Sequence, residues 1–495
     1  MAKFSFKSQP RLRILSNVQI EEIHECALDI LKNVGVCFHS DEALRILGDH
    51  GCSIDFERKI AKFSNDVVID SIQKTPEKFK HYYINKDDSL EIGGNSVYYY
   101  PGSTAVKFME SDGKTVRSPT CLDFVHFTRL VQQLDFVDVQ TSCLLLTDLP
   151  EDFVEIMKVY ISLLFCNKPL ITSTFTRENT QDVIQMIEAV SGNRERMKEK
   201  PCAAFIYCPS PPLTWAEVIV DNMMIAAKNG FPLIFVSMPS MGATAPTTLA
   251  GCLAQHAAET LSGLVLAQVI TPGLPVVYGG TPILFDMKAA TPAIGAIETY
   301  LMDVGLSQMG RYYGLPLRAT MTETDSKCMD TQTGWETALG FLIGSLSEIH
   351  LVSGLGMIES ARCQSFEKLT MDNEIAGMCK RFLKGIEVDK DHLAYDLIAE
   401  LGPGASFLAS EHTFRYFKKE QYIPSIVTDR RERAEWERLG ARTAFDRAKI
   451  LVEEILGDRT KYIPCLEGEK LRNLKEVFGE ICKRRNIKDL PIRID

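Results

Sequence analysis

The chain has 495 residues, of which 45% are hydrophobic and 24% charged, a composition typical of a soluble globular protein with a large core. Its formal net charge of -10 provides no positive field for nucleic acid or an anionic membrane; this acidity suits a cationic ligand, although it can equally serve solubility alone. Its 14 cysteines form no Cys-x-x-Cys pair, the first residues contain no long apolar signal segment, and no run of about 18 apolar residues occurs. We therefore predict a cytoplasmic protein with reduced thiols, without a membrane span or a nucleic-acid partner.

Residues 1–135 predict an α+β extension packed on the main domain. Apolar residues recur at helical spacing in residues 20–34, and shorter helical patterns cover residues 41–47 and 65–72. Short β-prone pieces follow at residues 81–84 and 97–100, separated by turns that contain glycine.

From residue 136 the sequence alternates short apolar runs with helical patterns. The runs are continuous rather than alternating, which is typical of buried parallel strands. The strand candidates are residues 137–146, 170–174, 203–208, 233–238, 276–279, 317–322 and 349–353. The helix candidates are residues 152–164, 180–191, 216–228, 249–270, 293–313 and 334–346.

Seven such units predict a (β/α)8 barrel over residues 136–425. The eighth strand would lie near residues 399–408 or be lent by the N-terminal part. The competing architecture is a doubly wound open sheet, but no Gly-x-Gly-x-x-Gly turn follows an early strand. Residues 426–495 predict a helical segment, in which the stretch from Asp429 is one charged amphipathic helix that serves as a surface helix or an oligomer contact.

In a barrel of this kind the active site lies at the carboxyl ends of the strands. The loop after the sixth predicted strand carries the most polar and acidic groups, and we take Glu323 and Asp325 from it as candidate catalytic residues. A charged run is also commonly a solvated surface, and Asp330 can equally be a helix N-cap. The sequence contains no His-Glu-x-x-His zinc motif, no serine nucleophile elbow and no Gly-Lys-Ser/Thr phosphate loop, so we predict no metal site.

Several blocks of sequence together resemble the trimethylamine methyltransferase superfamily. They are EIHECALDILKNVGV, DEALRILGDHGCSID, TLAGCLAQHAAETLSGLVLAQVITPGLPVVYGG, DTQTGWETALGFLIGSLSEIHLVSGLGMIES and GPGASFLASEHT, and they span nearly the whole chain. The resemblance implies a (β/α)8 barrel that holds a methylated amine at its mouth. It also implies a separate protein partner that presents a cobalt corrinoid (cobalamin) to this mouth, so that the chain binds no cofactor permanently.

The founding branch of this family uses pyrrolysine in the second half of the barrel, whereas this sequence contains ordinary residues throughout. Residues 325–330 are the candidate equivalent of that position. The resemblance is therefore to the pyrrolysine-free branch and implies a quaternary amine as substrate: glycine betaine first, then proline betaine or a carnitine-like compound. The remaining alternatives are a barrel that binds such amines without turnover, and an unrelated barrel lyase that uses Glu323 or Lys327 in acid–base roles.

A quaternary ammonium has no N–H donor, so proteins hold it by the faces of aromatic rings. The aromatic candidates at predicted strand ends and in loops are Tyr98, Tyr100, Tyr207, Tyr278 and Trp335, each of which can equally be an ordinary packing residue. A betaine carboxylate also needs a hydrogen-bond donor. Candidates for this role are Arg318, Lys327, His350, Arg362 and His412, with Gln332 as a further polar contact; His350, within an apolar run, can instead be a satisfied core histidine. We also predict a homo-oligomer.

Overall fold

The computed structural model describes residues 11–102, 104–458 and 463–491. Eight parallel strands form its central sheet. In chain order they are β1 (Tyr98–Pro101), β2 (Gln140–Thr141), β3 (Leu170–Thr172), β4 (Ala203–Tyr207), β5 (Leu233–Phe235), β6 (Val276–Gly280), β7 (Leu317–Thr320) and β8 (Leu351–Leu355). From β2 to β8 each strand pairs with the next, and β8 pairs with β1.

Backbone and side-chain contacts between β1 and β2 close the ring. Asp138 N donates to Tyr99 O at 2.7 Å, Tyr99 N donates to the Asp138 carboxylate at 2.8 Å, and the Thr141 hydroxyl donates to Gly102 O at 3.1 Å. The sheet is therefore a (β/α)8 barrel, and the predicted fold class is confirmed.

One helix follows each strand on the outside of the barrel. These are α1 (Cys121–Gln133), α2 (Val154–Phe165), α3 (Arg177–Ser191), α4 (Glu217–Lys228), α5 (Leu249–Ile270), α6 (Ile297–Tyr312), α7 (Thr331–Leu346) and α8 (Phe366–Leu383). Polar side chains cap several of their N-termini, as Thr120 does for α1 and Ser365 for α8. Helix α5 is apolar on all sides because N-terminal helices cover its outer face.

The N-terminal part has helices Asn17–Asp29, Asp41–Asp49 and Asn65–Lys74 and strands Val36–Phe38, Ser53–Asp55, Ile60–Lys62, Lys78–Tyr82 and Ser89–Gly93. The last two strands form an antiparallel hairpin. Its apolar residues pack with those of the barrel interior, and the buried ring of His81 meets the backbone at Cys202 and Leu170, where β4 and β3 begin. The hairpin therefore closes the amino-terminal end of the barrel.

Short strands in the loops surround the other end. They are Lys107–Met109, Val116–Arg117, Thr214–Trp215, Ser240–Met241, Ile283–Asp286, Thr291–Ala293, Met357–Ile358 and Cys363–Gln364. Short helices Glu151–Phe153 and Arg194–Glu199 precede α2 and follow α3. The C-terminal helices are Lys390–Leu393, Tyr395–Leu401, Glu411–Glu420, Arg433–Arg438, Ala444–Gly457 and Gly468–Arg484. No helix in the described ranges is long and apolar enough to cross a membrane.

All seven predicted strands are present in the barrel. Of the two places predicted for the eighth strand, the N-terminal one is confirmed, whereas the prediction for the C-terminal helices needs correction. The eighth strand is β1, from the N-terminal part, whereas residues 399–408 end a helix at Gly402, whose φ is +72°, and continue as a turn. The stretch from Asp429 is two helices instead of one. Gly440 (φ +95°) and Ala441 (φ +50°) leave the helical conformation, and Thr443 caps a new helix.

Candidate functional site

A hollow opens at the carboxyl ends of the barrel strands and has an empty volume of about 300 Å³, part of which is open solvent. Residues at the ends of six strands line it: Tyr100, Gly102, Thr104, Thr141, Ser142, Ile171, Thr172, Ser173, Ile206, Arg318 and Ser353. A larger depression, lined in part by Tyr82, Lys200 and Lys470, lies at the opposite end beside the closing hairpin. We place the candidate site in the first hollow because barrel enzymes bind substrates at the carboxyl ends.

Arg318 on β7 gives the hollow a buried positive charge. Its side chain points into the barrel, because its neighbours Leu317 and Ala319 pack in the outer core, and it is only 3% exposed. Its Nε donates to the Tyr100 hydroxyl at 2.8 Å, and its Nη1 makes a long contact of 3.4 Å with Gly280 O. Its Nη2 has no hydrogen-bond partner in the described part of the chain, so one edge of the guanidinium stays available to a ligand.

Glu323 provides a carboxyl group beside the same hollow. It follows β7, is 2% exposed, and its Oε2 has no hydrogen-bond partner among the described residues. Its Oε1 faces Gly102 in the hollow's lining, since a Cβ built on Gly102 would lie 3.3 Å from this oxygen. Burial raises the pKa of Glu323 to about 7, Arg318 and Lys368 oppose that rise, and Asp325 adds to it. This carboxyl group therefore titrates near neutral pH.

A family model described as Trimethylamine methyltransferase (MTTB) matches residues 2–486. The chain belongs to the trimethylamine methyltransferase family. It is 30% identical over 457 residues to the glycine betaine methyltransferase of Desulfitobacterium hafniense (strain Y51), a similarity that covers 92% of this chain and 94% of the relative. It is 28% identical to the trimethylamine methyltransferase MttB of Desulfitobacterium hafniense (strain DSM 10664 / DCB-2), covering 92% and 91% of the two chains.

The fold also matches a solved structure. The crystal structure of the Methanosarcina barkeri monomethylamine methyltransferase (MtmB) superimposes with a TM-score of 0.50 at 10% sequence identity, covering 91% of this chain and 90% of that chain. At this identity the likeness supports the fold alone. The family resemblance drawn from the sequence blocks is thus confirmed, and the chain is a methyltransferase of the trimethylamine methyltransferase family.

In this family member the loop after β7 is held by its own acidic residues. The Asp325 carboxylate accepts hydrogen bonds from Ile294 N and Gly295 N, both at 3.0 Å, and from the Ser360 hydroxyl at 2.5 Å. Asp330 accepts from Thr333 N at 3.1 Å and caps α7, so the alternative of a helix N-cap is confirmed. Asp325 therefore braces the loop and is not among the residues that line the hollow.

The next two polar candidates also bond to near neighbours, Lys327 within the loop and Gln332 within α7. The exposed Lys327 donates to Asp325 O at 2.6 Å, and Gln332 donates to the Glu336 carboxylate at 2.8 Å. Residues 325–330, the candidate equivalent of the pyrrolysine position, lie in this loop between β7 and α7.

Only one of the five candidate aromatic rings lines the hollow. Tyr100 points inward, whereas Tyr98 begins the same strand and lies at the amino-terminal end. Tyr207 donates to Asn222 O on α4, and Tyr278 packs against His256 and Tyr313, so both rings face the outer helices. Trp335 is the fifth residue of α7 and is 54% exposed.

Among the candidate carboxylate donors, Arg318 alone lines the hollow. His350 precedes β8 at the opposite end, where its Nδ1 accepts from Leu317 N at 2.8 Å and its Nε2 lies 3.1 Å from Gly94 O, which is the pattern of a satisfied core histidine. Burial lowers the pKa of His350 to about 3, so it is neutral. His412 lies on the exposed helix Glu411–Glu420, and Arg362 is exposed in a turn.

Sequence reasoning missed two kinds of residue. Thr141, Ser142, Thr172, Ser173 and Ser353 line the hollow, and their one signal was a hydroxyl residue inside an apolar run or directly after it. Asp303, on α6, was missed because nothing in its local sequence distinguishes it. It is fully buried, and burial raises its pKa against the opposing effects of Arg318 and of the Thr281 hydroxyl.

Proposed function

We propose that this chain transfers a methyl group from a quaternary amine to the Co(I) of a corrinoid carried by a separate protein. Glycine betaine is the favoured substrate, ahead of proline betaine and carnitine-like compounds. The observation that carries the proposal is the hollow at the barrel mouth. Arg318 lines this hollow, and the carboxyl group of Glu323 lies beside it. The similarity to a glycine betaine methyltransferase over most of the chain supports the substrate class.

The chemistry asks little acid–base work of the protein. A quaternary nitrogen leaves as a neutral amine, so attack on its methyl carbon by the cobalt(I) of the corrinoid needs no general acid. The residues of the hollow would bind the amine, orient one methyl group outward and exclude water. We propose that Glu323 supplies a counter-charge to the ammonium and that the ring of Tyr100 provides an apolar wall. Asp325 would position Glu323 by holding the loop that carries it.

Exposed apolar side chains around the mouth support docking of a protein partner there. We define the apolar rim as six exposed residues of the loops and helix starts at the carboxyl ends of the strands: Val106, Leu145, Phe175, Met287, Ile297 and Trp335. Apolar patches of this kind commonly mark protein–protein contact sites. A corrinoid presented from this side would meet a methyl group that points out of the hollow.

We expect Trp335→Glu to raise the KM for the corrinoid protein at least about tenfold. Tryptophans that become buried when two proteins bind are frequent hot spots of the interface. The affinity for glycine betaine, measured by calorimetry, should not change. Phe382→Glu is the matched control. Phe382 is 53% exposed, but it lies at the C-terminal end of α8, away from the barrel mouth. If Trp335→Glu instead weakens betaine binding, the tryptophan belongs to the substrate site.

The proposed function is tested by mixing the purified protein with a reduced corrinoid protein and each amine in turn. The absorbance of the corrinoid follows its uptake of the methyl group. We expect transfer from glycine betaine and none from trimethylamine. Transfer from trimethylamine alone would overturn the substrate class, whereas tight betaine binding without any transfer would favour a binding protein without turnover.

A barrel lyase is the second candidate, because the pKa of Glu323 near 7 also suits a general acid–base residue. A lyase would cleave its substrate without a corrinoid protein. Incubation of the chain alone with glycine betaine, followed by proton NMR of the products, separates the two functions.

We also propose that the chain forms a homo-oligomer. Residues 386–426 expose many large apolar side chains at the end of the barrel away from the mouth, among them Ile386, Val388, Tyr395, Leu408 and Phe414. Light scattering at low micromolar concentration tests this proposal, and a monomeric mass would contradict it.

A further inference from the structure

We infer that Arg318 is the carboxylate receptor of the hollow, so that the site selects a zwitterionic betaine and rejects a quaternary ammonium without a carboxylate. The inference rests on the proposed function in that the ligand is taken to be a quaternary amine. It states that one residue, Arg318, distinguishes amines that carry a carboxylate from amines that do not.

Arg318 has the features of an anion receptor that lacks its anion. The side chain is buried, yet no carboxylate of the described residues lies within ion-pair distance of its guanidinium. Within the described ranges its only hydrogen bonds are those of Nε to Tyr100 and the long contact of Nη1. A buried cation is stable only when it is paired, and a guanidinium edge formed by Nη1 and Nη2 matches a carboxylate in two parallel hydrogen bonds.

Two buried carboxyl groups lie near Arg318 without bonding to it. Glu323 is beside the hollow, and Asp303 lies on α6, where the charge of Arg318 acts on it from a distance. The Oε2 atom of Glu323 has no hydrogen-bond partner among the described residues. Above a pH of about 7 the ionised Glu323 offsets part of the charge of Arg318, while the guanidinium edge stays free for a ligand.

This arrangement discriminates by charge. In glycine betaine one carbon separates the carboxylate from the ammonium, so a carboxylate on Arg318 holds the ammonium inside the same hollow, within the field of Glu323. An amine such as tetramethylammonium brings only a positive charge to a hollow that already contains the Arg318 cation. Like charges at such short range in a buried site repel strongly.

The test is calorimetric titration of the full chain with glycine betaine and with tetramethylammonium chloride. We expect Arg318→Met to weaken betaine binding at least about 100-fold, because it removes one partner of a buried charged pair. The same variant should bind tetramethylammonium more tightly than the wild type does. Arg318→Lys should weaken betaine binding without improving tetramethylammonium binding, since it keeps the charge but loses the planar fork. Arg381→Met, at the far end of α8, is the control and should change neither affinity.

An unchanged betaine affinity in Arg318→Met would overturn the inference. Equal losses of affinity for both ligands in Arg318→Met and Arg318→Lys would also overturn it, provided that both variants have the melting temperature of the wild type. Failure of the proposed function is a different result. If the wild type binds betaine through Arg318 but transfers no methyl group, the function falls and the inference stands. If Arg318→Met transfers the methyl group of betaine with an unchanged KM for betaine, the function stands and the inference falls.

Discussion

We expect the affinity of the wild-type protein for glycine betaine to rise about tenfold between pH 6 and pH 8, and the Glu323→Gln variant to show no such rise. Burial raises the pKa of Glu323 to about 7, so below this pH the carboxyl group is protonated and neutral. A bound ammonium favours the ionised form, so binding releases a proton at low pH and strengthens as the pH rises through the pKa. The charged groups that face this carboxyl group are Arg318, Lys368 and Asp325.

The measurement is calorimetric titration across this pH range in two buffers of different ionisation enthalpy, which also counts the released protons. Glu367→Gln is the matched control: Glu367 is buried and burial raises its pKa, but it does not line the hollow. That variant should keep the full pH dependence. A pH dependence that persists in Glu323→Gln would show that another group titrates on binding.

We expect Lys368→Met to lower the free energy of unfolding by about 3–5 kcal/mol, because it leaves a buried carboxylate without its partner. Lys368 and Asp372 are both buried on α8, and the ammonium donates to the two carboxylate oxygens at 2.8 and 2.6 Å. The same ammonium also donates to Thr322 O at 3.2 Å, directly before Glu323. The loss therefore loosens the loop that carries the candidate carboxyl group as well as α8. Urea unfolding followed by circular dichroism measures the effect.

Lys74→Met provides the comparison for this pair. Lys74 and Asp70 have the same separation of four residues along a helix, but both side chains are exposed. Exposed pairs of this kind contribute at most about 0.5 kcal/mol, so the unfolding midpoint of Lys74→Met should stay close to that of the wild type. Similar losses in the two variants would mean that burial of the Lys368–Asp372 pair does not matter for stability.

The barrel could be predicted because its signals are local. The apolar run of residues 203–208 and the 22-residue helix α5 each show their type within their own sequence, since strand and helix periodicity involve neighbours no more than four residues apart. The break in the C-terminal helices escaped this reasoning. Gly440 and Thr443 lie inside a pattern that otherwise continues, and their conformations override it.

The candidate aromatic residues illustrate a different limit. Tyr98 and Tyr100 share one face of β1, as the alternation of side chains along a strand requires, yet only Tyr100 reaches the hollow. Tyr207 and Tyr278 lie in strands that were predicted correctly but face the outer helices. Whether a tyrosine side chain points into the barrel or toward the outer helices depends on the rotation of its strand in the ring. Whether it lies at the amino or the carboxyl end of the barrel depends on the residue at which the strand begins.

The sequence by itself determined the alternation of strands and helices, the family and the loop that carries Glu323, because each depends on residues that are neighbours along the chain. Only the tertiary structure decided that Tyr100 meets Arg318 across 218 residues, that β1 from the N-terminal part completes the ring, and that Asp303 is buried within the field of that arginine. The physical reason is ring closure, because strands distant in sequence become neighbours. Burial among them raises the pKa values of Glu323 and Asp303 and encloses the guanidinium of Arg318, which none of the separate segments could do.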